Sequence, residues 1–220
     1  MRYYPVYLDM RGRNALVVGG GAVGSRKAET LLRAGARVTL VSPQVTETIR
    51  SLAKAGRLTW HARRYRSSDV AAMFLVFSAT DDPDLNRRIE EDAAGQHALC
   101  NYADQPDRGH FILPSILSRG DLLVSISTSG KSPAVARRLR KDLEAYFGEE
   151  YAPFLRLMGA VRERLLEREH APDDHRNVFD RLIDGGLLAL VKAEDIEGIN
   201  RLLKSVLGEG FDGERLMTDK

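Results

Sequence analysis

The 220-residue sequence contains a single cysteine, Cys100, and a single tryptophan, Trp60. One cysteine cannot close an internal disulfide, which excludes a cross-linked scaffold and fits a reducing compartment, so the expected location is the cytoplasm. No apolar run approaches the roughly 20 residues that cross a bilayer, so no membrane segment is expected. The opening Met1-Arg2-Tyr3-Tyr4-Pro5-Val6-Tyr7 lacks the apolar stretch and small-residue cleavage site of a secretory signal. The histidines (His61, His97, His110, His170 and His175) show no H-x-x-x-H spacing, and no resident metal is expected. Aromatic residues are only 7% of the chain and do not interleave with its basic stretches, which argues against nucleic acid as a partner.

What is present is an ordinary globular composition, 43% hydrophobic and 29% charged. The net charge of +2 is a cancellation along the chain. Residues 1–110 hold 16 basic and 12 acidic side chains, residues 111–147 hold 6 and 3, and residues 148–220 hold 11 and 16. A basic front suits an anionic ligand, although uneven solvated surface gives the same arithmetic.

Asn14-Ala15-Leu16-Val17-Val18 is a continuous apolar run ending at Gly19, as expected of a strand covered on both faces. A helical period follows to Ala34-Gly35, and then a β-branched strand, Arg37–Val41, stops at Ser42-Pro43. The alternation continues with a helix near 46–55, strands at 58–61 and 74–78, a helix from Pro83 to about Ala94, and a strand at 98–101. Strand and helix in turn predict an α/β fold with a Rossmann-like parallel sheet. Beyond residue 110, Phe111-Ile112-Leu113-Pro114 and Leu122–Ser127 read as strands about a turn at Ser118–Asp121, and a helix opens at Ser132-Pro133. From about Tyr151 every segment has helical period, which predicts a C-terminal helical domain, and residues 209–220 read as frayed.

Gly19-Gly20-Gly21-Ala22-Val23-Gly24 fits G-x-G-x-x-G between a buried strand and a helix, the context in which it marks a dinucleotide site. Gly19 serves the turn, Gly21 the approach of a pyrophosphate, and Gly24 the packing of helix on strand, with Ala22 and Val23 offering helix N–H groups. Ser42-Pro43-Gln44 stands where an acid would hold the ribose hydroxyls of NAD, so no carboxylate repels a 2′-phosphate and no Arg or Lys follows the strand to bind one. Thr80-Asp81-Asp82-Pro83 follows another strand, where ligands of such folds sit, and Asp82 serves equally as a helix cap. Asn101-Tyr102-Ala103-Asp104 ends the next strand with no helix to cap, which makes Asp104 the candidate for proton chemistry, with a solvated loop aspartate as the alternative. Only His110 among the histidines lies close to it. Cys100, inside an apolar strand, reads as a small hydrophobe. Ser127–Ser132 lacks the spacing of a nucleotide-hydrolysing phosphate loop, and Arg137, Arg138 and Lys141 form a basic stripe on the following helix.

Six linked motifs carry a resemblance over about residues 1–147: Tyr4–Arg13, Val17–Val23 with Arg26-Lys27, Ala79–Asp82, Cys100–Asp104, Phe111–Ser115 and Ser129–Pro133. In order and content they resemble the precorrin-2 dehydrogenase family, the siroheme synthase N-terminal module. The resemblance implies NAD-dependent oxidation of precorrin-2 to sirohydrochlorin, with Fe²⁺ insertion as a further step in some members, and a homodimer joined through the middle region. The implied organisation is an NAD-binding domain at 1–113, a small α+β dimerisation region at 114–147 and the helical domain at 148–220. NAD would lie along Gly19–Gly24 with Ser42 and Pro43 near its ribose and Thr80, Asp81 and Asn101 near its nicotinamide. The macrocycle, an octacarboxylate, would enter between sheet and middle region, with Asp104 taking the proton and Asn101, Phe111, Thr128, Lys131, Arg137 and Arg138 as substrate contacts. The length leaves no room for the methyltransferase of fused members. A non-catalytic nicotinamide-sensing module is the reading from a different class, and it gives Asp104 no role.

Overall fold

The computed structural model describes residues 2–102, 109–167 and 172–218. Its first half holds five short strands, β1 (Asn14–Val18), β2 (Arg37–Val41), β3 (Thr59–His61), β4 (Leu75–Ser78) and β5 (Leu99–Tyr102). They form one parallel sheet in the order β3-β2-β1-β4-β5. The apolar run of β1 is continuous because successive side chains enter different cores. Ala15 and Val17 join Ala28 and Leu31 of helix α1 (Ala22–Arg33) and Ile49 of α2 (Glu47–Lys54). Leu16 and Val18 join Ile89 and Ala93 of α3 (Pro83–Gly95) with Cys100 of β5. The chain walks outward from β1 to β3 and then crosses back to β4 on the other side of β1. The connections at the carboxyl ends of β1 and β4 therefore diverge and leave a crevice, the usual ligand position in such sheets.

The helices begin where side chains can take their first free N–H groups. The Thr46 hydroxyl accepts from the Ile49 amide at 3.4 Å, and Asp82 accepts from the Asp84 and Leu85 amides at 3.0 and 3.1 Å ahead of Pro83. Asp82 is thus a helix cap.

Residues Met1–Leu113 and Ser129–Lys131 form one compact unit, and Pro114–Thr128 with Ser132–Lys220 a second. The second unit opens with an antiparallel hairpin, β6 (Ser115–Arg119) and β7 (Leu122–Ile126), followed by α4 (Pro133–Tyr146). The strand expected at Phe111–Pro114 is not formed. Pro114 has no N–H to give a ladder, so pairing starts at Ser115, opposite Ile126, and closes over Gly120-Asp121, where Gly120 has φ +57°. Phe111 instead packs edge-to-face on Phe77, ring centroids 5.7 Å apart.

Among the described residues five helices follow: α5 (Tyr151–Glu167), α6 (Pro172–Asp184), α7 (Leu187–Lys192), α8 (Ile196–Leu207) and α9 (Gly213–Thr218). They share one core that includes Phe154, Leu157, Val161, Leu182, Leu187, Ile199 and Leu203. Residues 209–218 are not frayed as expected. Phe211 and Leu216 are buried in this core, and the Gly213 amide donates to Asn200 Oδ1 at 2.7 Å. Phe211, Leu216 and Met217 are too few to show a period, yet enough to anchor one and a half turns once a core exists to receive them. Among the described residues, no helix is long and apolar enough to cross a membrane.

Candidate functional site

The glycines of the first βα turn fill three different steric roles. Gly19 has φ +112°, and a Cβ there would lie 2.1 Å from the Ala79 carbonyl oxygen, so the turn after β1 passes directly under the segment after β4. At Gly24 a Cβ would lie 2.0 Å from Gly19 O and 3.5 Å from Val17 Cγ1, which is the close approach of helix to strand. At Gly21 a Cβ would meet nothing within 4 Å. The space above it is open, and it caps a helix with no side-chain cap and no acid in its first turn. Ala22 and Val23 stand exposed in that turn. Free helix N–H groups beneath an open glycine backbone are what a pyrophosphate needs, so the residues present fit a dinucleotide.

Gly20 has its own constraint, which the motif does not advertise. A Cβ there would lie 2.2 Å from the Gln44 carbonyl oxygen and 3.0 Å from Ser42 Oγ. The loop after β2 therefore rests on the glycine turn and brings Ser42 and Pro43 to the same crevice. The loop is held by bonds from the Thr46 amide to Gly20 O (3.1 Å), from Ser42 Oγ to Gln44 O (2.7 Å), and between the Ser25 and Thr46 hydroxyls (2.7 Å).

On the other side of β1, the segment after β4 is fixed by a residue that sequence reading passed over. Asn86 of α3 is 2% exposed, and its Oδ1 accepts from both Ser78 Oγ and Thr80 Oγ1 at 2.6 Å, while its Nδ2 donates to Thr80 O at 2.9 Å. An asparagine in a helix pattern gives no signal by itself, and the available clue was its position just inside a helix that follows a strand end. Asn86 holds the Ala79-Thr80 peptide against Gly19, with Asp81 exposed beside it. Replacing it by leucine removes the partner of two hydroxyls and one carbonyl in a dry site. Asn86→Leu is expected to lower stability by about 2–4 kcal/mol, read by chemical denaturation. It is also expected to weaken NAD⁺ binding by roughly tenfold, read by titration, because Thr80 loses its anchor.

Asn101, 7% exposed, donates from Nδ2 to Phe111 O at 2.9 Å and bridges to Gly109. His110 ties the same strand, its Nδ1 accepting from the Cys100 amide at 3.0 Å. Burial, with the charge of Glu90 adding to it, pushes the Cys100 thiol up to about 12, consistent with an inert hydrophobe. Asp104 lies outside the described residues. Lys27 of α1 is half-buried with its ammonium 5.4 Å from the Phe77 ring centroid, and desolvation, with Arg26 second, holds its pKa below the lysine range.

The structure thus gathers Gly19, Gly21, Gly24, Ser42, Pro43, Thr80 and Asp81 at the carboxyl ends of β1, β2 and β4, with Asn101 on β5. The remaining candidates are placed differently. Phe111 is tied into the first core. The Thr128 hydroxyl is engaged with Ser132, accepting from its amide and donating to its carbonyl at 3.1 Å each. Arg138 is paired with Asp142 at 2.9 Å, while Lys131 and Arg137 are exposed.

Residues 6–115 match the model of a family described as NAD(P)-binding, and residues 119–146 match one described as sirohaem biosynthesis protein central. The chain is 36% identical over 216 residues to siroheme synthase 1 of Pectobacterium atrosepticum, covering 98% of this chain and 45% of that protein. It is 33% identical over 210 residues to the siroheme synthase of Sodalis glossinidius, covering 96% of this chain and 45% of the relative. The chain therefore spans somewhat less than half the length of these curated relatives. Among solved structures it is similar to SirC, a precorrin-2 dehydrogenase, with a TM-score of 0.76 and 28% identity over 92% of this chain and 100% of that one.

Proposed function

The chain belongs to the NAD(P)-binding family, here followed by a sirohaem-biosynthesis central region, and from that premise we propose that it is an NAD-dependent precorrin-2 dehydrogenase producing sirohydrochlorin in the cytoplasm. The observation that carries the proposal is the crevice at the β1/β4 switch point, where Gly21 leaves open space over free helix N–H groups. Gly19, Gly21 and Gly24 with the α1 N-terminus hold the pyrophosphate, the Ser42-Pro43 loop meets the adenosine ribose, and Thr80, kept in place by Asn86, lines the nicotinamide end. When bound, NAD⁺ supplies the two-electron acceptor. Asp104 takes up the proton released as precorrin-2 is oxidised. Lys131 and Arg137, exposed cations, attract the carboxylates of the substrate. The test is NADH formation, followed by absorbance, from precorrin-2 and NAD⁺ with the purified protein; no NADH above the enzyme-free rate overturns the proposal. Uptake of Fe²⁺ by sirohydrochlorin without NAD⁺, assayed on the same preparation, decides whether chelation is a second step.

The working form is a homodimer. Leu123, Val135 and Leu139, on the segment that matches the central region, and Ile116 just before it are 42–49% exposed apolar residues of β6, β7 and α4. Sedimentation is expected to give a dimer, and Leu139→Glu a monomer, because a charge in the middle of such a face loses its water on association.

A further inference from the structure

Among the described residues, five lysine and arginine side chains are half-buried, and four of them hold an oxygen. Arg63 pairs with Asp69 at 2.6 Å, Arg119 with Glu149 at 3.2 Å and Arg140 with Glu144, while Arg164 donates to Gly210 O at 3.0 Å. Lys27 is the exception. Among the described residues its ammonium forms no ion pair and no hydrogen bond, and it meets only the Phe77 ring. Burial and the neighbouring Arg26 both disfavour its charge, and a carboxylate arriving at that point restores what burial removes.

The position of Lys27 in the fold gives that vacancy a direction. Helices α1 and α2 pack on β1, β2 and β3, whereas β4 and β5 carry α3. Phe77 of β4 belongs to the core that α1 enters, and its register partner on β5 is Asn101. On that side of the two strands Phe111 does the covering, edge-to-face on Phe77 at 5.7 Å and with its carbonyl on Asn101 Nδ2 at 2.9 Å. A helical side chain leans toward the helix N-terminus, which carries the Lys27 stem toward Val23, one turn earlier and 36% exposed beside the glycine turn. Val23, Phe77 and Phe111 thus make an apolar wall with one unpaired ammonium in it, adjoining Asn101. A flat macrocycle edged with carboxylates needs both of these surfaces.

We infer that Lys27 is a substrate-binding residue whose ammonium receives a peripheral carboxylate of the tetrapyrrole at the β4–β5 end of the crevice. This rests on the dehydrogenase reading of the protein. The pyrophosphate has its own seat on the free N–H groups at Gly21 and the start of α1. Lys27, about one and a half turns further along the helix, is left for the other anion of the reaction. Trp60, the single tryptophan of the chain, donates from Nε1 to Ser42 O at 3.0 Å, in the loop that rests on Gly20, and so reports on nucleotide separately from macrocycle.

The experiment compares the purified protein with Lys27→Met and Lys27→Arg. Sirohydrochlorin binding is titrated by the absorbance of the macrocycle, NAD⁺ binding by Trp60 fluorescence, and the oxidation of precorrin-2 by NADH formation. Methionine keeps the apolar stem against Phe77 and removes the charge, so the thermal melt is expected to hold. Lys27→Met is expected to weaken sirohydrochlorin by about tenfold or more and to raise KM for precorrin-2 more than it lowers kcat. Lys27→Arg is expected to recover most of that loss, and NAD⁺ affinity to stay within about twofold in both variants. Sirohydrochlorin affinity and KM within about twofold of wild type in Lys27→Met overturn the inference and leave the dehydrogenase proposal standing. So does a loss that Lys27→Arg does not recover, which makes the residue a packing element, or an equal loss of NAD⁺ affinity, which assigns the ammonium to the pyrophosphate. A wild-type protein that neither binds sirohydrochlorin nor forms NADH overturns the inference and the dehydrogenase reading together.

Discussion

Gly21→Ala is expected to keep its stability and to lose NAD⁺ binding, whereas Gly19→Ala is expected to destabilise the first unit. The two residues sit two apart in one motif, but an added methyl meets opposite surroundings. At Gly21 it enters open space, which is the space a pyrophosphate must occupy, so the clash is with the ligand alone. Affinity falls by at least about a hundredfold, the equivalent of roughly 3 kcal/mol of lost phosphate contacts. At Gly19 the methyl lies 2.1 Å from Ala79 O and 2.6 Å from its carbon, on a backbone with φ +112°. Strain and overpacking add, for a loss of about 3–5 kcal/mol and a fall in the melting temperature on the order of 10 °C. Circular-dichroism melts and nucleotide titration on both variants read the two effects separately. A Gly21→Ala protein that binds NAD⁺ normally would remove the pyrophosphate from α1.

Asp104→Ala is expected to cut turnover by about a hundredfold or more, the usual contribution of a positioned general base. The segment that carries Asp104 leaves and returns through residues that are tied down. Asn101 pairs with Gly109, Asn101 Nδ2 reaches Phe111 O, and the Cys100 and His110 main chains bond at 2.8 Å. β5 ends at Tyr102, paired with Ser78 at the end of β4. Asp104→Asn separates proton transfer from shape, because it keeps the volume and the hydrogen-bonding oxygen but cannot act as a base at neutral pH. Both variants are expected to bind NAD⁺ by Trp60 fluorescence and to fail in NADH formation. Wild-type turnover in Asp104→Asn would assign the proton to another group.

Much of the first unit is legible in the residues themselves. β1, α1, β2 and α3 begin and end within a residue or two of where apolar period, Pro43, Pro83 and Gly35 put them, since these signals act through local backbone geometry. Where packing makes the decision, local signals fail. Phe111–Pro114 is apolar enough for a strand, but Phe111 has a ring partner in the first core and Pro114 has no donor, so the ladder starts one residue later. Residues 209–218 look frayed until a core of α5 and α8 receives Phe211 and Leu216.

The same division runs through the candidate site. The sequence by itself determined the glycine turn between a buried strand and a helix, the absence of an acid after β2, and an aspartate past the end of β5, because each is a statement about neighbours along the chain. Only the tertiary structure decided that Gly20 carries the Ser42 loop, that Asn86 holds Thr80, that Asp69 is neutralised by Arg63, and that Trp60 touches Ser42. Those pairings join residues from different strands and helices, and a parallel sheet whose order is not its sequence order brings together side chains that no local pattern relates.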